Sequence, residues 1–238
     1  MTLTIDIGNT SAKYGIFQRG KLIHYERIQG SWVTVMSHVV ANFGTPRQVV
    51  ISNVGGPQPM LEAALEAAGL KAKWLTYETE EAQRFFKFIP QGLGCDRLAA
   101  DVAARTMAPA QDVLVVDSGT CLTFDVIRHD GVIVGGSISP GVGIRLKAMH
   151  DYTAALPLFE PASKMPVVGT DIATAMIGGC LNGVRWEIEG YIRHLLAHGY
   201  PDLRVFFNRL DQKMPHDVET RITRDPALVC RGLYQIYA

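Results

Sequence analysis

The sequence has no excess of charge of either sign. Its 23 basic side chains balance 23 acidic ones, and no run of lysine or arginine interrupts the chain. Nonspecific binding to nucleic acid or to an anionic membrane surface depends on concentrated positive charge. We therefore expect neither nucleic acid nor membrane among the partners of this protein.

Long apolar runs and paired cysteines are also lacking. Residues 113–116 form one of the longest apolar stretches, far short of the roughly 18 residues that would span a bilayer. The first residues have neither the basic segment nor the long apolar core of a signal peptide. Cys95, Cys121, Cys180 and Cys230 lie far apart, without the spacing of a zinc or redox site. These features predict a cytoplasmic protein with reduced thiols.

What is present is a strand pattern that occurs twice. Leu3, Ile5 and Ile7 alternate with polar residues, and strands over 14–17 and 21–28 follow to make a meander. About 110 residues later the pattern recurs over 113–116, 122–127 and 132–137. The 238 residues allow one large domain or two of roughly 120. The repeat favours two related halves, 1–111 and 112–238.

Helical patterns lie between and after the two meanders. Helices are predicted over 31–43, 58–68 and 97–106, with strands over 48–52 and 72–75. A long helix capped by Thr170 or Asp171 is predicted to run to about His198, followed by a strand over 204–207 and a helix over 228–237. Strands that alternate with helices indicate an α/β protein.

The first motif that could carry chemistry follows the first strand. Asp6 precedes Gly8, Asn9 and Thr10, and Lys13 lies three positions further on. Asp6 could hold a hydrated Mg²⁺ while the glycine turn lines phosphates and Lys13 supplies positive charge. The alternative is an ordinary Asn/Gly hairpin with an exposed Asp.

The second motif stands at the equivalent point of the second half. Asp117, Gly119 and Thr120 repeat the order of acid, glycine and hydroxyl, and Thr123 and Asp125 follow. Two such turns facing each other would clamp the phosphates of a nucleotide, one turn from each half. Two unrelated hairpins are the alternative.

The third motif, Gly94-Cys95-Asp96-Arg97, lies where a loop enters a predicted helix. Asp96 could act as a general base, a role typically worth a factor of about 10²–10⁴ in rate. Arg97 could bind a carboxylate or a phosphate. The alternative is that Asp96 merely caps the helix.

The fourth motif is rich in residues that break regular structure. Four of the seven residues 135–141 are Gly or Pro, and Arg145, His150 and Thr153 follow. This composition predicts a shaped loop around a ligand. A purely structural turn with a solvated His150 is the alternative.

In this order, the segments DIGNT, GCDR, DSGT-x-x-T, GGSISPG and HDYTAALP resemble the type III pantothenate kinases of the acetate and sugar kinase/Hsp70/actin superfamily. The resemblance covers nearly the whole chain. It implies two duplicated ribonuclease H-like (actin-like) domains with a nucleotide cleft between them. It also implies transfer of the γ-phosphoryl group of ATP to pantothenate, giving 4'-phosphopantothenate in the first step of coenzyme A biosynthesis. The implied cofactors are Mg²⁺ and a monovalent cation, K⁺ or NH₄⁺, and the implied assembly is a homodimer.

The resemblance also implies roles for individual residues. Asp96 is the implied catalytic base, Asp117 the potassium ligand, and Asp6 the magnesium ligand through water. The implied ATP-binding residues are Asp6, Ile7, Gly8, Asn9, Thr10, Ser11, Ala12, Lys13 and Thr120. The implied substrate-binding residues are Phe88, Gly94, Cys95, Asp96, Arg97, His150, Thr153 and Ile172.

Two single residues and one four-residue segment depart from the family pattern. Phe88 stands where a tyrosine usually lines the pantothenate pocket, and Ile172 stands where a threonine binds substrate. Residues 208–211, Asn-Arg-Leu-Asp, replace a Thr-Gly-Gly-Asp turn, which would obstruct close backbone approach to the nucleotide. Losing one or two neutral hydrogen bonds costs roughly 1–3 kcal/mol, so we expect catalysis to survive.

The departures leave two other functions open. One is a non-catalytic nucleotide-binding or regulatory protein on the same fold. The other is a kinase for a different small hydroxyl substrate. Dimerisation is expected from the resemblance and from Gly179 and Gly183, which would allow a second helix to approach one face of the long helix.

Overall fold

The computed structural model describes residues 1–209 and 213–238. Two compact units divide the chain, the first formed by Met1–Met107, Asp130–Ile133 and Ala227–Ala238, the second by Ala108–His129 and Val134–Pro226. Within the described ranges, no helix has both the length and the apolar character needed to cross a bilayer. In chain order, the helices and strands are β1 (Thr2–Ile7), β2 (Ala12–Gln18), β3 (Lys21–Arg27), α1 (Trp32–Phe43), β4 (Gln48–Asn53), α2 (Pro59–Ala67), β5 (Ala72–Trp74), α3 (Glu80–Gln83), α4 (Cys95–Met107), β6 (Val113–Ser118), β7 (Cys121–Ile127), β8 (Ile133–Pro140), α5 (Val142–Asp151), α6 (Ile172–Ala197), β9 (Arg204–Arg209), α7 (His216–Glu219), β10 (Ile222–Arg224) and α8 (Leu228–Tyr237).

The two sheets have the same topology. The first has the strand order β3-β2-β1-β4-β5, and the second has the order β10-β9-β6-β7-β8, which is the same arrangement written in reverse. In the first sheet, β1 pairs antiparallel with β2 and parallel with β4. In the second sheet, β6 pairs antiparallel with β7 and parallel with β9. The predicted α/β class and the duplication are confirmed by this match.

Strand β1 is buried on both of its faces. Leu3, Ile5 and Ile7 pack in a cluster with residues of α1 and α2. On the other face, α8 contacts β1, β2 and β4. Thr4 is fully buried there, and its hydroxyl donates to the Gly15 carbonyl at 3.2 Å. The alternation in the sequence therefore separates two packed layers rather than a core from solvent.

The C-terminal helix α8 belongs to the first unit. It packs closely against α4, because a Cβ at Gly232 would lie 1.7 Å from the Ala99 carbonyl oxygen. The expected division after residue 111 assigned residues 227–238 to the second half, and in this respect the structure differs from the expectation. A composition-based boundary cannot detect a helix that returns to pack on an earlier half.

The long helix α6 dominates the second unit. Val184, Ile188 and Ile192 pack in one cluster with residues of β6, β7 and β9. The helix begins at a capping box, in which the Asp171 side chain accepts from the Thr174 backbone N–H at 2.8 Å. The predicted helix and its cap are thereby confirmed.

Two predicted features of the local structure are wrong. The shaped loop predicted over 135–141 is not formed, because strand β8 continues past the predicted strand over 132–137 and ends at Pro140. Gly136 serves close packing, because a Cβ there would lie 1.7 Å from the Phe124 carbonyl oxygen. Helix α4 begins at Cys95 rather than at the predicted residue 97, so Asp96 lies inside its first turn rather than before it.

Candidate functional site

The carboxylate of Asp6 is buried at the end of β1. It lies opposite Lys13 in the antiparallel register of β1 and β2. Lys13 Nζ donates to Asp6 Oδ2 at 3.2 Å, and the two side chains are only 13% and 7% exposed. An ordinary hairpin with an exposed Asp therefore does not describe this motif.

The loop after β1 spans residues 8–11 and carries two exposed positions, Asn9 and Thr10. The Gly8 N–H donates to the Ser11 carbonyl at 3.1 Å and closes the loop at its base. Of the residues implied to bind ATP, positions 6–13 thus form one continuous segment at the carboxyl end of β1. In open α/β sheets, ligands bind outside the carboxyl ends of the strands.

The turn after β4 packs directly against this loop. The Val54 N–H donates to the Ile7 carbonyl at 2.9 Å, and a Cβ at Gly55 would lie 2.9 Å from the Gly8 carbonyl oxygen. Gly55 is thus a residue of the site that the motif analysis missed. The signal for it was present, since Gly55 and Gly56 follow a predicted strand as Gly8 does.

The start of α4 places Asp96 next to the carboxyl end of β4, on the same side of the sheet as the carboxyl end of β1. The neighbouring Cys95 Sγ lies 3.4 Å from Ser52 Oγ and 3.5 Å from the Asn53 carbonyl oxygen, which fixes the helix start to the end of β4. Burial raises the pKa of the Cys95 thiol, so it stays protonated at neutral pH. A buried, protonated thiol of this kind is a poor nucleophile.

One oxygen of the Asp96 carboxylate is used locally. Oδ1 accepts from the Arg97 backbone N–H at 2.9 Å, as a carboxylate in a first helical turn commonly does. A Cβ at Gly94 would lie 2.7 Å from that same oxygen, so glycine leaves space for the carboxylate. The helix-terminal role and a role as base are compatible, because a carboxylate has two oxygens.

Phe88 belongs to the same unit as Asp96. It forms a parallel bridge with Val132, and its carbonyl accepts from the Ile133 N–H at 3.1 Å. Its ring is 56% exposed. An exposed aromatic ring without a hydroxyl can provide an apolar surface for a ligand and no hydrogen bond.

In the second unit, Asp117 lies at the carboxyl end of β6. Its neighbour across β7 is Thr123, and β9 is irregular beside it, because Val116 pairs with Phe207 and Asp117 with Arg209. The residue omitted from this pairing is Asn208, which is 2% exposed. In the part of the chain that the structure describes, neither side-chain atom of Asn208 has a hydrogen-bond partner.

The turn after β6 is shorter than its counterpart and abuts the start of α5. Thr120 is exposed, and its carbonyl accepts from the Gly141 N–H at 3.1 Å. A Cβ at Gly141 would lie 2.3 Å from the Gly119 carbonyl oxygen and 2.6 Å from that of Thr120. Gly141 is therefore required for this contact, whereas Gly119 itself has space for a side chain.

Arg145 has a structural role. Its Nε donates to the Pro140 carbonyl at 2.8 Å, and its Nη2 forms an ion pair with Glu187. Ser139 Oγ also donates to Glu187, at 2.5 Å. These bonds join the end of β8 to α5 and α6. Glu187 lies in the middle of a helix, where no local motif marks it.

His150 and Thr153 shape the turn that follows α5. The His150 Nδ1–H donates to the Leu156 carbonyl at 2.7 Å, and the Thr153 hydroxyl donates to the Met149 carbonyl at 2.7 Å. Both side chains are exposed. The structure thus brings together the last two residues of the fourth motif within the second unit.

Ile172 is the first residue of α6 and is 52% exposed. The hydroxyl of nearby Thr174 accepts from the Thr170 and Asp171 N–H groups at 3.0 and 3.2 Å. Because this hydroxyl is used in the helix cap, Thr174 cannot replace the threonine that Ile172 displaces. The late turn over 208–211 lies partly outside the described residues, since 210 and 211 are not among them.

Comparisons with known proteins agree on one family. A family model described as type III pantothenate kinase matches residues 2–194. A type III pantothenate kinase of Bacteroides fragilis (strain YCH46) is 36% identical to this chain, and the match covers 99% of this chain and 97% of the relative. The one of Phocaeicola vulgatus is 35% identical over 99% of this chain and 97% of its own.

Two solved structures share the fold over nearly their whole length. One is a Campylobacter jejuni protein assigned to the Baf family of transcriptional activators, with a TM-score of 0.59, 21% identity, and coverage of 98% of this chain and 96% of the other. The second is a Sinorhizobium meliloti protein assigned as a 2-dehydro-3-deoxygalactonokinase, with a TM-score of 0.57, 12% identity, and coverage of 99% and 95%.

Proposed function

This chain belongs to the type III pantothenate kinase family, and on that premise we propose how its own residues divide the work of the reaction. The enzyme catalyses the ATP-dependent phosphorylation of pantothenate, a step of coenzyme A biosynthesis, on two duplicated actin-like halves. It uses ATP with a divalent ion. We propose that it does so in the cytoplasm, where ATP is plentiful.

Asp96 is the general base of the proposal. Phosphoryl transfer requires mainly positioning and neutralisation of charge, with one group to accept the proton of the attacking hydroxyl. The observation that supports Asp96 is its position in the first turn of α4, whose neighbour Cys95 is bonded to the end of β4 at Ser52 and Asn53. As the primary hydroxyl of pantothenate attacks the γ-phosphorus, its proton passes to the carboxylate of Asp96, the bond from the γ-phosphorus to the bridging oxygen breaks, and ADP leaves.

The loop over 8–11 and Lys13 bind the phosphates of ATP in this proposal. Backbone N–H groups of a glycine loop suit phosphate oxygens, and Lys13 adds positive charge. Asp6 holds the ammonium group of Lys13 in place at 3.2 Å. The Asp6 carboxylate also suits Mg²⁺, which prefers oxygen ligands and retains several waters. When bound, the divalent ion neutralises charge on the phosphates.

Asp117 and Thr120 serve the same reaction from the second unit. We assign the carboxylate of Asp117 to a monovalent cation, K⁺ or NH₄⁺, and the hydroxyl of Thr120 to a nucleotide phosphate. Oxygen ligands suit such hard cations. Support comes from the position of Asp117 at the carboxyl end of β6, next to the irregularity in β9.

Contacts to pantothenate are assigned in each unit separately. In the first unit, Phe88 supplies an apolar surface and Arg97 a cation for the substrate carboxylate. In the second unit, His150, Thr153 and Ile172 are the assigned contacts. Ile172 adds apolar surface but no hydrogen bond, so we expect pantothenate to bind more weakly than it would with threonine there.

We further propose a homodimer through the face of α6 that carries Gly179. Among the described residues, no atom lies within 4 Å of a Cβ built at Gly179. A groove of about 410 Å³ beside it is lined by Arg145, Met149, Met176 and Cys180. Sedimentation at micromolar concentration should give a dimer mass for the natural chain and a shift toward monomer for Gly179→Leu. A monomer for the natural chain would contradict the proposal.

The test of the substrate is pantothenate-dependent release of ADP. Purified protein is incubated with ATP, Mg²⁺ and K⁺, with and without pantothenate, beside Asp96→Asn and the exposed control Asp202→Asn. We expect a pantothenate-dependent rate for the natural chain and for Asp202→Asn, and phosphopantothenate as the product by mass spectrometry. No pantothenate-dependent rate above that of Asp96→Asn would overturn the proposal, and stimulation by a different alcohol alone would reassign the substrate.

A further inference from the structure

A cluster of metal-ligating side chains lies on the first unit, apart from the residues assigned to the kinase reaction. It consists of His24 and Glu26 on β3 and His38 on α1. One ligand atom from each of the three lies within 4.8 Å of the other two. Strand β3 is the edge strand of its sheet. The cluster thus joins a sheet edge to the helix packed beside it.

The strand supplies two of the ligands already at coordination spacing. His24 and Glu26 are two residues apart, so their side chains leave the same face of β3. His24 Nε2 lies 3.2 Å from Glu26 Oε2. Two ligand atoms of a tetrahedral zinc ion with bonds of about 2.0–2.1 Å are about 3.3 Å apart. The third ligand, His38, is exposed, and its ligand atom lies within 4.8 Å of those of His24 and Glu26.

Tyr14 supports this arrangement from inside the sheet. Its hydroxyl donates to Glu26 Oε2 at 3.0 Å and lies 3.0 Å from His24 Nε2. Carboxylates that bind a metal are commonly held by hydrogen bonds of this kind.

A cavity next to the cluster has room for an ion and water. It has a volume of about 180 Å³ and is lined by Tyr14, Glu26, Arg27, Thr34 and His38. A water molecule occupies about 30 Å³ in the liquid, so an open coordination position could be hydrated. The positive charge of Arg27 repels a metal ion, whereas the negative charge of Glu26 attracts it. We therefore expect a Kd for the ion in the micromolar rather than the nanomolar range.

We propose that His24, Glu26 and His38 bind one divalent transition-metal ion, with Zn²⁺ the best match, and that the ion fastens α1 to the edge strand β3. Two imidazoles and one carboxylate favour Zn²⁺ and its neighbours over Mg²⁺, which prefers oxygen ligands alone. Because the ion binds the folded chain, it raises the free energy of unfolding, and the gain grows with the ratio of the free ion concentration to the Kd. The proposal is independent of the kinase assignments above.

A competing site must be separated in the test. His194 and His198 lie one turn apart near the end of α6, with ring centroids 4.1 Å from each other. Such a pair can bind zinc weakly by itself. His198→Gln is therefore the matched control for His38→Gln, and Glu26→Gln is the second variant of the proposed site.

The experiment titrates metal-free protein with Zn²⁺ in a calorimeter and with Co²⁺ in a spectrophotometer. We expect one micromolar site in the natural chain and in His198→Gln, and at least about tenfold weaker binding in His38→Gln and Glu26→Gln. Co²⁺ should give the visible absorption of a tetrahedral site only where that site is intact. Zn²⁺ should raise Tm in the natural chain and in His198→Gln, with little effect on the other two.

Two results would overturn the proposal. One is zinc binding to His38→Gln and Glu26→Gln with the affinity of the natural chain. The other is the absence of a micromolar site in the natural chain, which would leave the cluster as a set of hydrogen bonds. A Tm without metal that is equal in all four proteins would establish that the variants are folded.

Discussion

In the first unit Asp6 lies opposite Lys13 on β2, whereas in the second unit Asp117, at the same position of the fold, lies opposite Thr123 on β7. The connecting loops differ as well, since residues 8–11 join β1 to β2 and residues 119–120 join β6 to β7. The first half thus combines a fixed lysine with a longer loop of backbone N–H groups. The second half presents an acid opposite a neutral hydroxyl.

The comparison teaches how one topology can serve two roles. Both acids lie at the carboxyl end of the first strand of their half, where a ligand is expected. In the first half, the protein itself supplies a cation 3.2 Å from the acid. In the second half, we propose that a monovalent cation from solution takes this role. The halves then differ in the source of their positive charge.

The largest effect on stability is expected from Lys13→Met. The change leaves the buried carboxylate of Asp6 without its cation, and breaking a buried ion pair costs about 3 kcal/mol. Thr123→Val, at the equivalent position of the second half, should cost less than about 1.5 kcal/mol because it removes no charge. Urea unfolding measures both, and equal losses would contradict the difference between the halves.

The next largest effect on stability is expected at Gly141, which packs against the turn between β6 and β7. Gly141→Ala forces a Cβ to 2.3 Å from the Gly119 carbonyl oxygen, whereas a Cβ at Gly119 would lie 3.7 Å from Asp117 Oδ1. Overpacking of this kind typically costs about 1–3 kcal/mol. We expect lower stability and weaker ATP binding for Gly141→Ala than for Gly119→Ala. Equal ATP affinities, measured by calorimetry, would show that this turn does not bind the nucleotide.

A smaller effect is expected when potassium is replaced by sodium. If Asp117 binds the monovalent cation, the rate in Na⁺ should fall by roughly threefold to tenfold, equivalent to ~1 kcal/mol. Asp117→Asn should remove the difference between the two salts, while Asp202→Asn should retain it. Rates of the natural chain that are equal in K⁺ and Na⁺ at the same ionic strength would count against the site.

The smallest effect is expected from Ile172→Thr. A restored hydroxyl can add one hydrogen bond to pantothenate, worth about 0.5–1.5 kcal/mol, which is roughly a twofold to tenfold decrease in KM. Thr174 already caps the helix, so the cap remains intact. An unchanged KM for pantothenate with an unchanged kcat would show that position 172 does not contact the substrate.

The strands and long helices could be predicted from the sequence because their patterns are local. The cap at Asp171 was marked by residue type. The predicted strand over 132–137 continues over 138–140, where a loop was expected, because Gly136 serves close contact with β7 rather than a bend. The place of α8 depends on the distant contact of Gly232 with Ala99.

The site was predictable where a motif is continuous along the chain. The segments over 6–13 and 94–97 are of this kind, and the structure brings them to the ends of β1 and β4. Gly55, Glu187 and the irregularity at Asn208 depend on contacts between separate elements. No spacing rule within one segment identifies them.

The most direct test of the account separates the chemical step from ATP binding in Asp96→Asn. Single-turnover transfer from labelled ATP to pantothenate gives the rate of the step, and calorimetry gives the Kd for ATP. If Asp96 is the base, the transfer rate should fall by about 10²–10⁴ while the Kd stays within about twofold. A transfer rate equal to that of the natural chain would contradict the central assignment.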